Sequence, residues 1–572
     1  MNRRSPPPSA AASKPAPAAP LHPILAEIQP LLRAGRIAEA AARCEQAIAG
    51  GAEDPLLLLN TVHLQLHVGR NQEAFDLCER ILARQADHID AHFNRGLAAM
   101  RINRYEEALH SFQTVLKRKP DYVEALTNLS AVYFGLGFIR EALEPLHKAN
   151  RLKPDLVPIW QNLLSITNYD ETVPLSELME LHRRAGKHIA RAAGPRPTSY
   201  PNTPDPDRPL RIGYLSGDLF NHPASHYIEP VLRLHDRSHF EPFAYSLIGW
   251  SDSVTQAFRS MVPNWRDVGL TDDAGLFRMI QDDRIDVLVD LSGHTARNRV
   301  LVVARKPAPV TVNWIGYLNS MGLTAVDHAV LDPHLLSPAA EAAFVEAPLK
   351  LPHTAYCYTP LIAGREPAEA PWQRNGHITF GCFNNPAKLS AASLKAWAEI
   401  LKRVPDSRLL FKYKTYSVPM VQARVIEALA GHGVAADRVR FEGFSPLGSF
   451  FDTFGSIDVA LDSFPYTGVT TSMHTLFMGV PLVTLEGDTP MQRFGRTALM
   501  AIGRPDWIAH TPEEYVAVAE TIVAEVRANP GLRHDIQNRM IASPMMQHER
   551  FVRDLEAAYR QAWSLWCGRH AR

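Results

Sequence analysis

Two patterns of apolar and polar positions divide the chain. Ahead of residue 194, small apolar and charged anchors return every 34 residues. Gly35-Arg36 precedes Glu39-Ala40, Gly69-Arg70 precedes Glu73-Ala74, Asn103-Arg104 precedes Glu107-Ala108, and Gly137 precedes Glu141-Ala142. Asp87, Asp121 and Asp155 keep the step, as do Pro120 and Pro154. After residue 209, short apolar runs alternate with helical stretches. Leu210–Ser216, Phe243–Ile248, Ile285–Leu291, Pro309–Ile315 and Ala325–Leu331 form a first set of expected strands, with a helix from about Ser225. Ile378–Cys382, Arg408–Phe411, Arg438–Phe441, Ile457–Leu461 and Pro481–Leu485 form a second, and the chain from Pro512 onward reads as helical. Strands alternating with helices predict parallel sheets covered on both faces.

A 34-residue period with a tight turn between helices is the pattern of tetratricopeptide repeats. The turn glycines predict a left-handed residue at each helix end. Ala40, Ala74, Ala108 and Ala142 predict crossings too close for a larger side chain. Four units and a further helix near Pro158 give a repeat region over residues 21–193, and the prolines of residues 194–209 mark a joint. Asn60, Asn94, Asn128 and Asn162 hold one position of successive repeats. A row of amides can grip an extended polypeptide backbone, because each donates and accepts hydrogen bonds; the plain alternative is that asparagine is simply common at that repeat position.

Composition narrows the partners. Lys+Arg and Asp+Glu number 60 each, so no net field draws nucleic acid or an anionic membrane. No apolar run reaches the ~18 residues of a membrane span. Cys44, Cys78, Cys357, Cys382 and Cys567 have no C-x-x-C spacing, which argues against a disulfide framework or a structural zinc site. Residues 1–20, rich in Pro, Ala and Ser, read as a disordered tail without the apolar core of a signal peptide. A cytoplasmic protein with no nucleic-acid or membrane partner is expected; the oligomeric state is left open.

Three loops carry chemistry. Asp218-Leu-Phe-Asn-His222-Pro-Ala-Ser-His226 follows the first strand, a favoured site position in open α/β sheets. His222 could act as a base or orient a hydroxyl; a metal pair with His226 lacks a third ligand of suitable spacing, and two structural histidines are the plain alternative. Phe380-Gly-Cys-Phe-Asn384-Asn385-Pro-Ala-Lys388 follows the second set's first strand. Lys388 could neutralise a departing diphosphate, or be a surface lysine. Asp462-Ser-Phe-Pro465-Tyr-Thr-Gly468-Val-Thr470-Thr471-Ser472-Met-His474 joins a strand to a helix whose free N–H groups could face an anion; ordinary capping by Thr or Ser is the alternative.

With these loops quoted, the chain resembles the protein O-GlcNAc transferases, glycosyltransferase family 41, and their bacterial members in particular. The resemblance rests on Asn-His222-Pro-Ala-Ser-His226, Leu291-Ser-Gly-His-Thr-Ala-Arg-Asn298, Lys306-Pro-Ala-Pro-Val, Trp314-Ile-Gly-Tyr317, Phe383-Asn-Asn-Pro-Ala-Lys388 and Leu461-Asp-Ser-Phe-Pro-Tyr-Thr-Gly-Val-Thr-Thr471. It implies α/β architecture with all-α N-terminal repeats: a tetratricopeptide superhelix, then a GT-B fold of two Rossmann-like lobes, over residues 210–365 and 366–572. It also implies inverting transfer from UDP-GlcNAc to Ser or Thr of polypeptides, with no cofactor and no metal.

By position, the resemblance implies that His222 is an active-site histidine, that Lys388 contacts the diphosphate, and that Thr470 and Thr471 bind phosphate. Asn385 stands where O-GlcNAc transferases have Gln, and Ser445 and Pro446 fall on the loop that holds the base. Leu447, Phe450 and His474 depart from the animal enzymes, which have a lysine, a histidine and a ribose-facing aspartate there. The SPINDLY-type protein O-fucosyltransferases share the repeats and two motifs but use GDP-fucose and lack the His-Pro-x-x-His element, which this chain keeps. A repeat scaffold with degenerate lobes and an enzyme of free glycans are the other readings; the repeat arm argues against the latter.

Overall fold

The computed structural model describes residues 22–362 and 364–570; the expected tail, residues 1–20, lies outside the described residues. The chain divides into two compact units, one ending at Val132 and the other beginning at Tyr133.

The first unit is helical. Its paired helices Ile37–Ala49 and Pro55–His67, Asn71–Arg84 and Ile89–Arg101, then Tyr105–Arg118, keep the 34-residue step of the sequence. The turn residues Gly35, Gly69 and Asn103 all take the left-handed conformation, with φ of 71°, 81° and 61°. Asparagine tolerates that region better than other non-glycine residues, which is why the third turn manages without glycine. Ala40, Ala74 and Ala108 are fully buried where the helices cross.

The second unit continues the repeat through Ile139–Leu152, Val157–Thr167 and Leu175–Ala193, and then builds two parallel sheets. Among the described residues the first sheet comprises β1 (Leu210–Ser216), β2 (Phe240–Ser246), β3 (Asn264–Asp267), β4 (Val287–Asp290), β5 (Val310–Asn313), β6 (His328–Leu331) and β7 (Ala347–Lys350), in the order β3-β2-β1-β4-β5-β6-β7. The second comprises β8 (Thr379–Cys382), β9 (Arg408–Lys412), β10 (Val439–Glu442), β11 (Val459–Leu461), β12 (Leu482–Leu485) and β13 (Ile508–Ala509), in the order β10-β9-β8-β11-β12-β13. Both are doubly wound: the chain proceeds outward to one side, then returns to the centre and proceeds to the other. The reversals fall between β1 and β4 and between β8 and β11, where such sheets open a crevice at their carboxyl ends.

The central strands are buried apolar runs, as parallel strands covered on both faces must be. β3, β7 and β13 were not anticipated. β3 is polar and half-exposed, β7 is an edge strand that accommodates Pro348, and β13 is two residues long. The last helix, His548–His570, departs from the expected 366–572 grouping. It packs against helix Ser225–Leu234, β5 and β7 of the first sheet. Phe551 stacks on the buried Trp314 with centroids 5.9 Å apart, and Glu556 accepts from the His235 ring at 2.9 Å. The apolar stripe marks this segment as an amphipathic helix but cannot say which sheet it covers. Cys44, Cys78, Cys357, Cys382 and Cys567 are all unpaired and buried, and no described helix is long and apolar enough to cross a membrane.

Candidate active site between two sheet crevices

The loops after β1, β4, β8 and β11 bring the chemistry together. After β1, Gly217-Asp218 turns the chain towards His222. The Asp218 carboxylate pairs with Arg297 at 2.9 Å, and Arg297 also donates to the Gly217 carbonyl at 2.9 Å, so the β4 loop braces the β1 loop. The Arg297 guanidinium also lies over the Phe220 ring, and Phe220 sits 5.4 Å from His222. His222 Nδ1 is 3.8 Å from Asp218 and accepts from the Ala224 N–H at 3.2 Å. Burial lowers the pKa of this ring; Asp218 opposes the shift and Arg297 reinforces it. His222 is therefore neutral near pH 7, and with Nδ1 accepting, its proton sits on Nε2.

A cavity of about 260 Å³ opens here, and it joins His222, Asp218 and Arg297 of the first lobe to Val469 and Thr470 of the second. Tyr227, one residue beyond His226, crosses the same gap and donates its hydroxyl to Thr470 Oγ1 at 3.0 Å. Ile315 lines the wall with φ of 54°, a left-handed conformation that costs a β-branched residue free energy. Its neighbour must be glycine: a Cβ on Gly316 would lie 2.1 Å from the Leu291 carbonyl.

In the second lobe, Asp462 organises the loop after β11. Its buried carboxylate accepts from Gly468 N–H at 2.6 Å, Thr484 at 3.0 Å and Asn384 at 3.2 Å, and burial pushes its pKa up to about 6. Helix Thr470–Phe477 follows with no side chain capping its start, so its first N–H groups stay available to an anion. Lys388, from the short 3-10 turn after β8, donates to the Thr467 carbonyl at 2.7 Å and lies 4.3 Å from the Tyr466 ring centroid. Burial lowers its pKa to about 8, against the opposing pull of Asp462.

The sequence-chosen residues thus separate into groups. His222 and Thr470 share the cavity; Lys388 is not among its lining residues but grips the same 462–468 loop through Thr467. Thr471 follows Thr470 in the first turn of its helix. Asn385 caps the 3-10 turn that carries Lys388, accepting from Ala387 N–H at 3.1 Å. Ser445 and Pro446 follow β10, two strands from β8 in the sheet. The Ser445 hydroxyl is buried without a partner, and Pro446 precedes helix Leu447–Asp452.

His474 is buried among Phe450, Phe451 and Tyr358, accepts or donates with the Tyr358 hydroxyl at 2.7 Å, and is held neutral by burial, its pKa lowered to about 3. Of the repeat asparagines in the first unit, Asn60, Asn94 and Asn128 each donate to a carbonyl four residues earlier, at 2.8, 2.8 and 2.7 Å. Asn94 is buried and also contacts His63; Asn162, in the second unit, is exposed. Arg297, Tyr227, Asp462 and Tyr466 were not singled out in the sequence, although each lies inside or beside a quoted motif. Among the described residues no three His, Cys, Asp or Glu side chains are grouped as metal ligands.

Two doubly wound lobes with facing crevices, following helical repeats, define a GT-B protein with a tetratricopeptide arm. The chain belongs to glycosyltransferase family 41, whose sequence profile matches residues 192–358 and 361–555; tetratricopeptide profiles match residues 25–89 and 89–122. A tomato (Solanum lycopersicum) relative named as the probable UDP-N-acetylglucosamine–peptide N-acetylglucosaminyltransferase SPINDLY is 36% identical over 412 residues, which cover 71% of this chain and 44% of that protein. The UDP-N-acetylglucosamine–peptide N-acetylglucosaminyltransferase of Caenorhabditis elegans is 23% identical over 62% of this chain and 41% of its own length. The chain therefore spans less than half the length of these relatives. Among solved structures, a mutant of the Thermobaculum terrenum O-GlcNAc transferase is similar with a TM-score of 0.83 and 32% identity, over 90% of this chain and 98% of that one.

Proposed function

We propose that this protein transfers N-acetylglucosamine from UDP-N-acetylglucosamine to Ser or Thr hydroxyls of polypeptides, with inversion and without a metal ion. The observation that carries this reading is the convergence, at the carboxyl ends of two facing sheets, of a histidine loop, a half-buried lysine and an uncapped helix start. The acceptor hydroxyl oxygen attacks the anomeric carbon from the His222 side while the bond to the diphosphate oxygen breaks; the electron pair of that bond stays on the phosphate, and the hydroxyl proton passes to a phosphate oxygen of the departing diphosphate or to water. Lys388, Thr470, Thr471 and the helix mouth stabilise that charge from fixed positions, which is worth most where water is excluded. The Ala224 N–H on His222 Nδ1 leaves Nε2 as a donor, which favours positioning of a substrate oxygen over proton abstraction. The nucleoside extends towards Ser445 and Pro446, and the repeat amides Asn60, Asn94, Asn128 and Asn162 are the candidate contacts for the polypeptide backbone, each within its own unit.

A GDP-fucose donor is the second reading. It is kept open by the higher identity to the relative named SPINDLY, 36% against 23%, and by His474, a buried neutral ring where the animal enzymes have a ribose-facing aspartate. Incubation of the protein and an acceptor polypeptide with UDP-GlcNAc, UDP-glucose or GDP-fucose, read by intact mass, tests both. A HexNAc increment from UDP-GlcNAc alone supports the first reading, and a deoxyhexose increment replaces it with the second. No transfer, no hydrolysis and no UDP binding would leave a repeat scaffold.

A further inference from the structure

The turn between helices Val157–Thr167 and Leu175–Ala193, late in the repeat region, touches both lobes at the candidate site. Residues 168–171 follow helix Val157–Thr167. Asn168 donates to the Tyr317 hydroxyl at 2.7 Å and accepts from Asn319 at 2.8 Å, both in the first lobe. Tyr169 reaches the other lobe and stacks on Tyr466, centroids 4.3 Å apart and planes 22° from parallel, while Phe134 closes its edge at 5.0 Å. The Lys388 ammonium lies over that same Tyr466 ring. Glu171 then caps helix Ala391–Arg403, which starts three residues after Lys388: its two oxygens accept from Ala391 and Ala392 N–H at 3.0 and 3.1 Å. On the far side Gly137, with φ of 83°, approaches so closely that a Cβ would lie 2.6 Å from the Pro386 carbonyl, and Arg424 donates to the carbonyls of Gly137 and Pro386.

Gly137 thus meets Pro386 directly, while Tyr169 reaches Lys388 through the Tyr466 ring and Glu171 through the start of the helix that follows; all three belong to the repeat end of the chain. We propose that Tyr169 and Glu171 are positioning residues for Lys388: the last repeat sets the place of the ammonium that meets the diphosphate. The stack fixes the Tyr466 ring, the ring supports the ammonium through a cation–π contact, and the Glu171 cap fixes the start of the helix that follows. The proposal rests on the functional reading above, in that it requires a diphosphate at Lys388.

The test compares UDP with uridine, and GDP with guanosine, by calorimetry and NMR on the full chain and on Tyr169→Ala, Tyr169→Phe and Glu171→Gln. Losing the stack should weaken binding of the diphosphate about tenfold, the scale of one cation–π contact, and leave the nucleoside within about twofold. Tyr169→Phe keeps the ring and should recover most of the affinity. Glu171 is exposed, so its substitution leaves the fold intact and should weaken the diphosphate about threefold, as loss of a helix cap does. Unchanged diphosphate affinity in both Tyr169→Ala and Glu171→Gln, or equal losses for nucleoside and diphosphate, would overturn the proposal while leaving the functional reading in place. A wild-type protein that binds neither UDP nor GDP would overturn the functional reading and this inference with it.

Discussion

The lowered pKa of Lys388 makes nucleotide affinity depend on pH with a defined sign. An ordinary lysine titrates near 10.4; burial brings this one to about 8, although the Asp462 carboxylate pulls the other way. The charged ammonium therefore predominates below pH 8 and is lost as pH rises through it. A bound diphosphate supplies the negative charge that the free site lacks and returns the lysine to its protonated form. Binding must then take up a proton above pH 8; affinity should fall about fivefold from pH 8 to pH 9 and nearly tenfold over the next unit, so UDP should bind about fiftyfold more weakly at pH 10 than at pH 8. At pH 9 the uptake should be about 0.9 proton per site. Calorimetric titration in two buffers of different ionisation enthalpy measures both quantities. Lys388→Arg, whose guanidinium stays charged throughout, should abolish the dependence. A flat affinity from pH 8 to 10 with no buffer-dependent heat would refute the assignment of this lysine to the phosphate.

Three further outcomes follow from buried groups. Glu346 is buried, accepts from Ser320 Oγ at 2.8 Å with its second oxygen unpartnered, and is raised to about 7. A folded-state pKa above the unfolded value gives stability that is present at low pH and lost as pH rises to 7. Glu346→Gln should therefore match the wild type at pH 4 and exceed it at pH 8 by up to about 3 kcal/mol; equal differences in urea denaturation at both pH values would contradict this. Gly186→Ala places a Cβ 1.8 Å from the Gly322 carbonyl, and the forced separation of helix Leu175–Ala193 from that loop should cost about 3 kcal/mol by the same assay. Asp462→Ala deserts the donors of Gly468, Thr484 and Asn384 at about 1–3 kcal/mol each, and should lower Tm and abolish UDP binding together; retained binding would show that the loop does not depend on this carboxylate.

The repeat was legible to the residue because its signal is periodic: one conserved step fixed the turns at Gly35, Gly69 and Asn103 and the buried alanines between them. The central strands were legible because burial on both faces demands continuous apolar runs. The edge strands lack that demand, and β3, with Asn264 and Asp267 at its ends, looks like loop. The site loops could be placed because each follows a central strand. Their mutual support could not, because it depends on residues far apart in sequence: Arg297 on Asp218, Tyr227 on Thr470, Tyr466 under Lys388. Nothing in the local pattern around His474 distinguishes a ribose ligand from a ring packed against Phe451.

The central claim is that the lysine after β8 and the helix start after β11 receive one diphosphate. A crystal structure with UDP tests it most directly. The account requires the phosphates between Lys388 Nζ and the first N–H groups of helix Thr470–Phe477, with Lys388 released from the Thr467 carbonyl that holds it here. A nucleotide ordered elsewhere on the protein, or a phosphate out of reach of a Lys388 still bound to Thr467, would contradict it.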